Sequence, residues 1–426
     1  MAIAASVVLL FLFLVLSVPI AAVLGLLGIG LDVIFSGFPL HRAIGEIAWS
    51  TSTDFLLIAI PLFVLLGEIM LRAGIATRMY DAVAMWLSWL PGGLMHANIG
   101  ACTLFAATSG SSVATAATIG TISMPEIDKR GYNERLFLGS LAAGGTLGIL
   151  IPPSINLVIY GALTNTSVPD LYLAAIIPGF ILAFLFILLI AGICTFRPRW
   201  GGERIVVDWS ARFRALGDLL PPVFIFAVVV GTIYAGWATP TEAAALGVAA
   251  ALVLAAFYRR LTWAMLRDAA EGTMCTTALL IVIVIAAFFL NFVLASLGIT
   301  ATLTASVSQL DMSPMAALIT IILFYIVLGC VMETLSIMIA TVPVITPVVI
   351  ALGFDPVWFG IILVILLETA LITPPIGVNL FVVQSVRNRG SANDVALGAL
   401  PFLLCMLAMI VVLLVFPEIV LSIISR

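Results

Sequence analysis

Apolar runs long enough to cross a bilayer, roughly 17 to 25 residues for about 30 Å of hydrocarbon, follow one another from Ala2 to the end of the chain. They leave no stretch for a separate soluble domain, so the chain reads as one all-α polytopic membrane protein. Two of the runs are interrupted in a way that a spanning helix is not. Between Leu94 and Met124 the apolar sequence breaks at Ser109-Gly110-Ser111-Ser112, leaving arms of about 15 residues that rise only roughly 22 Å as helix. Arms that short predict a re-entrant helical hairpin over 94–124. A second hairpin is expected over 314–346, with its tip at Gly329 to Thr334. Ahead of the first hairpin, a crossing from Thr53 to Arg72 leads into the segment Thr77 to Leu90. There Met79, Val83, Trp86, Leu87 and Leu90 share one helical face, the pattern of an interfacial arm. The matching parts of the second half are a short polar stretch (Thr262 to Glu271), a crossing from Thr273 to about Ala295 and an interfacial segment reaching Met312.

Two further runs, 134–164 and 356–387, carry a proline pair in their middle, Pro152-Pro153 and Pro374-Pro375. Proline donates no backbone N–H and crowds the carbonyl four residues earlier. The carbonyls of Gly148 and Ile149, and of Ala370 and Leu371, therefore lose their intrahelical partners. Hydrocarbon cannot satisfy them, so such backbone is tolerated only where it is buried in protein or lines a polar cavity.

The breaks are one feature used twice. A shift of 222 residues lays Pro125 on Pro347, Gly131 on Gly353, Phe137 on Phe359 and the first proline pair on the second. A shift of 223 then matches Asn156 to Asn379 and Pro178 to Pro401. Charge reverses between the copies. Lys129, Arg130 and Arg135 sit in a segment whose counterpart, Val348 to Val357, has no basic residue, whereas Arg387 and Arg389 answer to Thr164 and Thr166. Because short cytoplasmic loops collect Lys and Arg, the halves are expected to be inverted repeats, 1–195 and 219–426, as in many secondary transporters. Arg197, Arg199, Arg204, Arg212 and Arg214 mark a cytoplasmic linker over 196–218. Two crossings later, split at Ala238-Thr239-Pro240, Arg259 and Arg260 fall on the same side.

Composition adds exclusions. Hydrophobic residues make up 63% of the chain and charged ones 9%, more apolar surface than a soluble domain of 426 residues could bury. With a net charge of -4 and Lys129 the one lysine, no basic stripe forms and nucleic-acid binding is set aside. Cys102, Cys194, Cys275, Cys330 and Cys405 stand singly among apolar neighbours, which points to core packing rather than metal or redox chemistry. The first apolar run, Ala2 to Phe35, lacks a basic leader and is too long for a simple signal peptide. The serine-rich tip prompts an intramembrane protease, but only His41 and His96 exist as bases and neither is placed near Ser111. No catalytic residues are assigned, and the chain is not expected to be an enzyme.

Hairpin tips aimed at helix breaks suit a hard cation, which takes carbonyl and hydroxyl oxygens, while the N–H-rich starts of the following half-helices favour an anion. Ser109, Ser111, Ser112 and the carbonyls of Gly148 to Ile151 form one candidate sodium site. Gly329, Cys330, Thr334, Thr369, Thr373 and the carbonyls of Ala370 to Ile372 form the other. Asn156 and Asn379, just beyond the breaks, are placed to offer amides to a solute. Glu68, four residues before Arg72, reads as a helix-end ion pair and Glu242 as a first-turn acid after Pro240. Glu333 at a tip and Glu368 near a break are functional candidates, since carboxylates inside a membrane are costly.

The motifs Ser109-Gly110-Ser111-Ser112-Val113-Ala114-Thr115-Ala116, Pro125-Glu126, Ile151-Pro152-Pro153-Ser154, Ala238-Thr239-Pro240-Thr241-Glu242-Ala243-Ala244-Ala245 and Thr373-Pro374-Pro375-Ile376-Gly377-Val378-Asn379 resemble, in this order, the large membrane subunit of tripartite ATP-independent periplasmic (TRAP) transporters. The resemblance covers essentially the whole chain. It implies a bacterial inner-membrane permease that works with a small four-helix membrane subunit and a periplasmic substrate-binding protein. It also implies sodium-coupled uptake of small organic acids, by an elevator motion of hairpins and broken helices against a scaffold. Sodium is the only ion or cofactor implied. The family's sodium sites map onto Ser109 to Ser112 with Gly148 to Pro152, and onto Gly329-Cys330 with Thr369 to Thr373. Ser111, Ser112, Thr115, Ser154, Asn156, Glu333, Thr334 and Asn379 are the expected substrate contacts. In some members the small subunit is fused to the large one; with no extra helices before Ala2, a separate partner chain is expected. The alternative is a stand-alone sodium/dicarboxylate symporter or a sodium/proton antiporter of the same broad group, needing no binding protein.

Overall fold

The computed structural model describes residues 18–203, 208–308 and 312–424, with positions 8, 9, 12, 13 and 16 ahead of them. Arg204, the start of the apolar run at Ala2 and residue Asp311 lie outside the described residues. Every regular element among the described residues is a helix. Six are long and apolar enough to cross a membrane, and eight if each bent pair counts as one span.

The first half contains α1 (Ile20–Phe35), α2 (Ile44–Ser52), α3 (Ala59–Arg72), α4 (Ile75–Leu87), α5 (Leu94–Ser109), α6 (Ser112–Ser123), α7 (Glu126–Arg130), α8 (Glu134–Leu150), α9 (Ile155–Thr164) and α10 (Val168–Phe196). The second contains α11 (Trp209–Tyr234), α12 (Pro240–Phe257), α13 (Trp263–Ser296), α14 (Ile299–Ser308), α15 (Pro314–Gly329), α16 (Thr334–Ala351), α17 (Pro356–Ile372), α18 (Val378–Arg387), α19 (Ala392–Val415) and α20 (Glu418–Leu421). Local chemistry sets the breaks. Helix α5 stops at Gly110, whose φ of 59° is left-handed and costs a glycine little. Ser111 then caps α6 by accepting the Ala114 N–H. Asn133 caps α8, Ser154 caps α9, Glu333 caps α16 and Asp355 caps α17.

Several boundaries differ from the sequence expectation. The Thr53 to Arg72 crossing is helical only from Ala59, because Asp54 accepts the Leu56 N–H at 2.8 Å in a competing turn. The polar stretch before Thr273 is instead the start of α13, capped by Thr262 and braced by Arg267 and Glu271 at 2.7 Å. The linker is shorter than 196–218, since α11 begins at Trp209 and Arg212 folds over that indole at 4.8 Å. The second hairpin continues to Ala351, past Pro343 and Pro347, and stops at Gly353, whose φ is 91°. Cys275 is exposed rather than part of the core; it lies on an outward stripe of α13 with Met274 and Leu279.

Two groups of helices result. Helices α1, α3, α4, α11, α12 and α13 pack among themselves, and the hairpins, the broken helices, α10 and α19 form a second, interlocked group. The broken helices run antiparallel. The end of α9 meets the start of α17, where the Tyr160 hydroxyl donates to the Pro356 carbonyl at 2.7 Å. At the other pole the end of α18 meets the start of α8, where Arg387 donates to Glu134 at 2.9 Å. The same reciprocity holds for the hairpins, α18 packing on α6 and α9 on α16. Where α8 crosses α19, a methyl group on Gly139 would fall 2.0 Å from the Gly398 carbonyl oxygen, so the backbones touch.

The basic segments gather at one pole. Arg389 pairs with Asp128 at 2.5 Å and with Glu134 at 3.1 Å, and the guanidinium holds the Asp128 carboxyl below its ordinary range. The linker joins them through Asn133, whose N–H donates to Trp200, and Glu203, whose N–H donates to Arg130.

Candidate functional site

Each hairpin tip is seated on its own broken helix at a position where only a small residue fits. A methyl group on Gly148 would lie 2.8 Å from the Ser111 carbonyl oxygen and 2.9 Å from the Ser112 Cα. On Gly329 it would lie 2.8 Å from the Ala370 Cβ. Ala370 is the counterpart of Gly148 under the shift of 222. The Ser112 hydroxyl also donates to the Thr146 carbonyl at 3.3 Å, and a Cβ on Gly110 would stand 3.0 Å from the Pro153 oxygen. Both proline pairs have cis peptide bonds.

At the first break the freed backbone is partly reclaimed by serine. The Ser154 hydroxyl donates to the Ile149 carbonyl at 2.5 Å while accepting the Leu157 N–H, and the Ser154 carbonyl accepts from Tyr172 at 3.3 Å. The Ile149 carbonyl keeps one lone pair for a cation. The Thr115 hydroxyl donates to the Ser111 carbonyl at 2.7 Å and lies 3.0 Å from the Ser109 hydroxyl. Ile151 donates its N–H to Leu147, and the buried Ile151 and Pro152 close the helix end.

At the second break the Thr373 hydroxyl donates to the Thr369 carbonyl and the Thr369 hydroxyl to the Leu366 carbonyl, each at 2.6 Å. Hydroxyls so placed keep their lone pairs for a cation. Cys330 turns its thiol to the Ile326 carbonyl at 3.4 Å, so only its backbone oxygen and that of Gly329 remain as hard ligands. Ile372 is buried beside Ala370. Thr334, 4% exposed, has a hydroxyl with no partner. Glu368 is fully buried, and its carboxyl lies against the Leu150 backbone N–H of the first break without good hydrogen-bond geometry. Its counterpart in the first half is Thr146. The oxygens that would hold a sodium ion on this side are the Gly329 and Cys330 carbonyls and the hydroxyls of Thr334, Thr369 and Thr373, on the hairpin and broken helix that meet there.

Between the tips lies a cavity of about 190 Å³. Its wall includes Ser109, Ser111, Ser112, Ile149 and Asn156 from the first half, Glu333, Thr334 and Leu371 from the second, and Val64, Gly67, Glu68, Thr276 and Leu280 from the other helix group. Asn156 is 4% exposed and its amide nitrogen has no partner. Thr115, Ser154 and Asn379 are not on this wall. Asn379 instead donates to the Ala142 carbonyl at 3.2 Å, joining α18 to α8. Glu68 does pair with Arg72, at 3.0 Å, but it also faces the cavity. Glu242 forms a capping box with Thr239. The sequence reading missed Thr276 and Leu280; the threonines at 273, 276 and 277 in an apolar helix were the available signal. Among the histidines, His41 bonds Asp32 at 2.7 Å and His96 bonds the Pro91 carbonyl at 2.8 Å.

A family model described as "Tripartite ATP-independent periplasmic transporter, DctM component" matches residues 7–419. The chain is 34% identical to the C4-dicarboxylate TRAP transporter large permease protein DctM of Pseudomonas aeruginosa, over 89% of both chains. It is 32% identical to the isethionate TRAP transporter permease protein DctMQ of Oleidesulfovibrio alaskensis, over 96% of this chain and 64% of that longer protein. Among solved structures the fold is shared with the YdaH transporter of Alcanivorax borkumensis, at a TM-score of 0.61 and 18% identity, covering 97% of this chain and 98% of the other.

Proposed function

Since the chain belongs to the DctM component family of tripartite ATP-independent periplasmic transporters, we propose that it is the large permease subunit of a three-part system, driving uptake of a small organic acid with a sodium gradient. The system sits in the bacterial inner membrane, with the basic pole and the 196–214 linker in the cytoplasm. A small four-helix membrane subunit supports it and a periplasmic binding protein delivers the solute. The two hairpins are re-entrant, opening to opposite sides.

One observation carries this reading: two hairpin tips sit on two antiparallel broken helices around one cavity, at the border between two helix groups. Sodium binds at each contact between tip and break, through the residues described above. The group holding both contacts, α5 to α10 and α15 to α19, moves as an elevator against α1, α3, α4 and α11 to α13. Sodium at the second contact gives the buried Thr334 hydroxyl a partner and draws on the Glu368 acid, buried on the same broken helix.

Reconstitution in liposomes with both partners, with and without an inward sodium gradient, tests the proposal. Solute should accumulate only with the gradient and only with the binding protein. Accumulation indifferent to sodium would sink the coupling, and accumulation without the binding protein would favour a stand-alone symporter.

A further inference from the structure

The cavity between the tips carries negative charge and no positive charge of its own. Glu68 and Glu333 are on its wall, and no lysine, arginine or histidine is. Glu68 is balanced by Arg72 at 3.0 Å, outside the wall. Glu333 has no ion pair among the described residues; one oxygen of its carboxylate accepts the Ser336 N–H at 3.1 Å and the Ser336 hydroxyl at 3.2 Å. Two buried donors, by contrast, have no partner: the Asn156 amide nitrogen and the Thr334 hydroxyl. Such groups cost free energy until something accepts from them.

We infer that the solute is a monocarboxylate whose far end donates hydrogen bonds, as an ammonium or a hydroxyl does, and not a dicarboxylate. This inference rests on the transport reading above and narrows its solute. The solute's carboxylate accepts from Asn156 and Thr334, completing two orphaned donors. Its far end donates to the carboxylate of Glu333. A second carboxylate there would face a like charge, with no arginine fork to offset the repulsion.

Three four-carbon acids separate the possibilities because they differ at one end alone: 4-aminobutyrate, 4-hydroxybutyrate and succinate. Their binding to the purified full chain with its small subunit, in saturating sodium, is measured by isothermal titration. 4-Aminobutyrate and 4-hydroxybutyrate should each bind at least about tenfold more tightly than succinate. Glu333→Gln should erase most of the preference for 4-aminobutyrate, and Glu333→Asp, which keeps both charge and cap, should retain it. Succinate binding as tightly as the other two, no binding by any of the three, or an unchanged preference in Glu333→Gln would each overturn the inference. Sodium-driven uptake measured in parallel keeps the two readings apart, since a system that couples to sodium yet prefers succinate loses only the solute assignment.

Discussion

The two helix breaks share a backbone device and differ in how they supply oxygen. At the first, glycine lies on the broken helix, and Ser154 spends its hydroxyl on the Ile149 carbonyl. At the second, glycine lies on the hairpin, alanine on the helix, and the residue in the place of Ser154 is Gly377, which has no side chain to give. The first break is thus largely satisfied by protein. The second keeps an unpaired Thr334 hydroxyl, and its broken helix carries a buried Glu368 where the first has a self-satisfied Thr146. Duplication preserved the geometry of contact but put the buried acid in one copy only. Under the proposed sodium coupling, the second site should depend on its cation more strongly than the first.

Exchanging the small residues breaks the comparison most severely. Gly148→Ala drives a methyl group into tip backbone that has no flexible end to yield, at about 1 to 3 kcal/mol for overpacking of this kind. Sodium-driven uptake should fall at least about tenfold, whereas Ala370→Gly should leave it within about twofold; equal effects would mean that the tips are not seated as described. Glu368→Gln comes next. Loss of one charge-assisted contact predicts a sodium half-saturation concentration raised about tenfold or more, and an unchanged value would remove Glu368 from the site.

Single hydroxyls sharpen the contrast on a smaller scale. Thr373→Ala and Ser111→Ala should each weaken apparent sodium affinity about fivefold, the scale of one neutral ligand, and no change in both would refute the assignment of the sites. Ser154→Ala should be mildest for transport. It removes the α9 cap, lowering stability by about 1 kcal/mol, but frees the Ile149 carbonyl, so sodium affinity should hold or rise. A clear fall in affinity, measured by uptake against sodium concentration, would show that the Ser154 hydroxyl binds sodium itself.

Much of this architecture was legible because membrane sequences punish local irregularity. Proline pairs, short arms and a serine-glycine tip stand out against apolar neighbours, and they locate α5, α6, α8, α9, α17 and α18. What escaped the sequence depends on contact between distant segments. Nothing local says that Asn379 turns to Ala142 while its counterpart Asn156 turns to the cavity, nor that Thr276 and Glu68 wall the site from another helix group. The polar start of α13 was hidden for a different reason, since Arg267 and Glu271 look like loop residues until their spacing of four is seen to pair them on a helix.

The reciprocal seating of the broken helices also sets a timetable for biosynthesis. Tyr160 and Pro356 are separated by 196 residues of chain. At about 5 to 20 residues per second, roughly ten to forty seconds pass after α9 is made before its partner on α17 exists. The first half must wait in the membrane through that interval with its tyrosine hydroxyl, its hairpin and the face of α8 that receives α19 uncovered. The seat that joins the two broken helices therefore cannot form before α17 has been made.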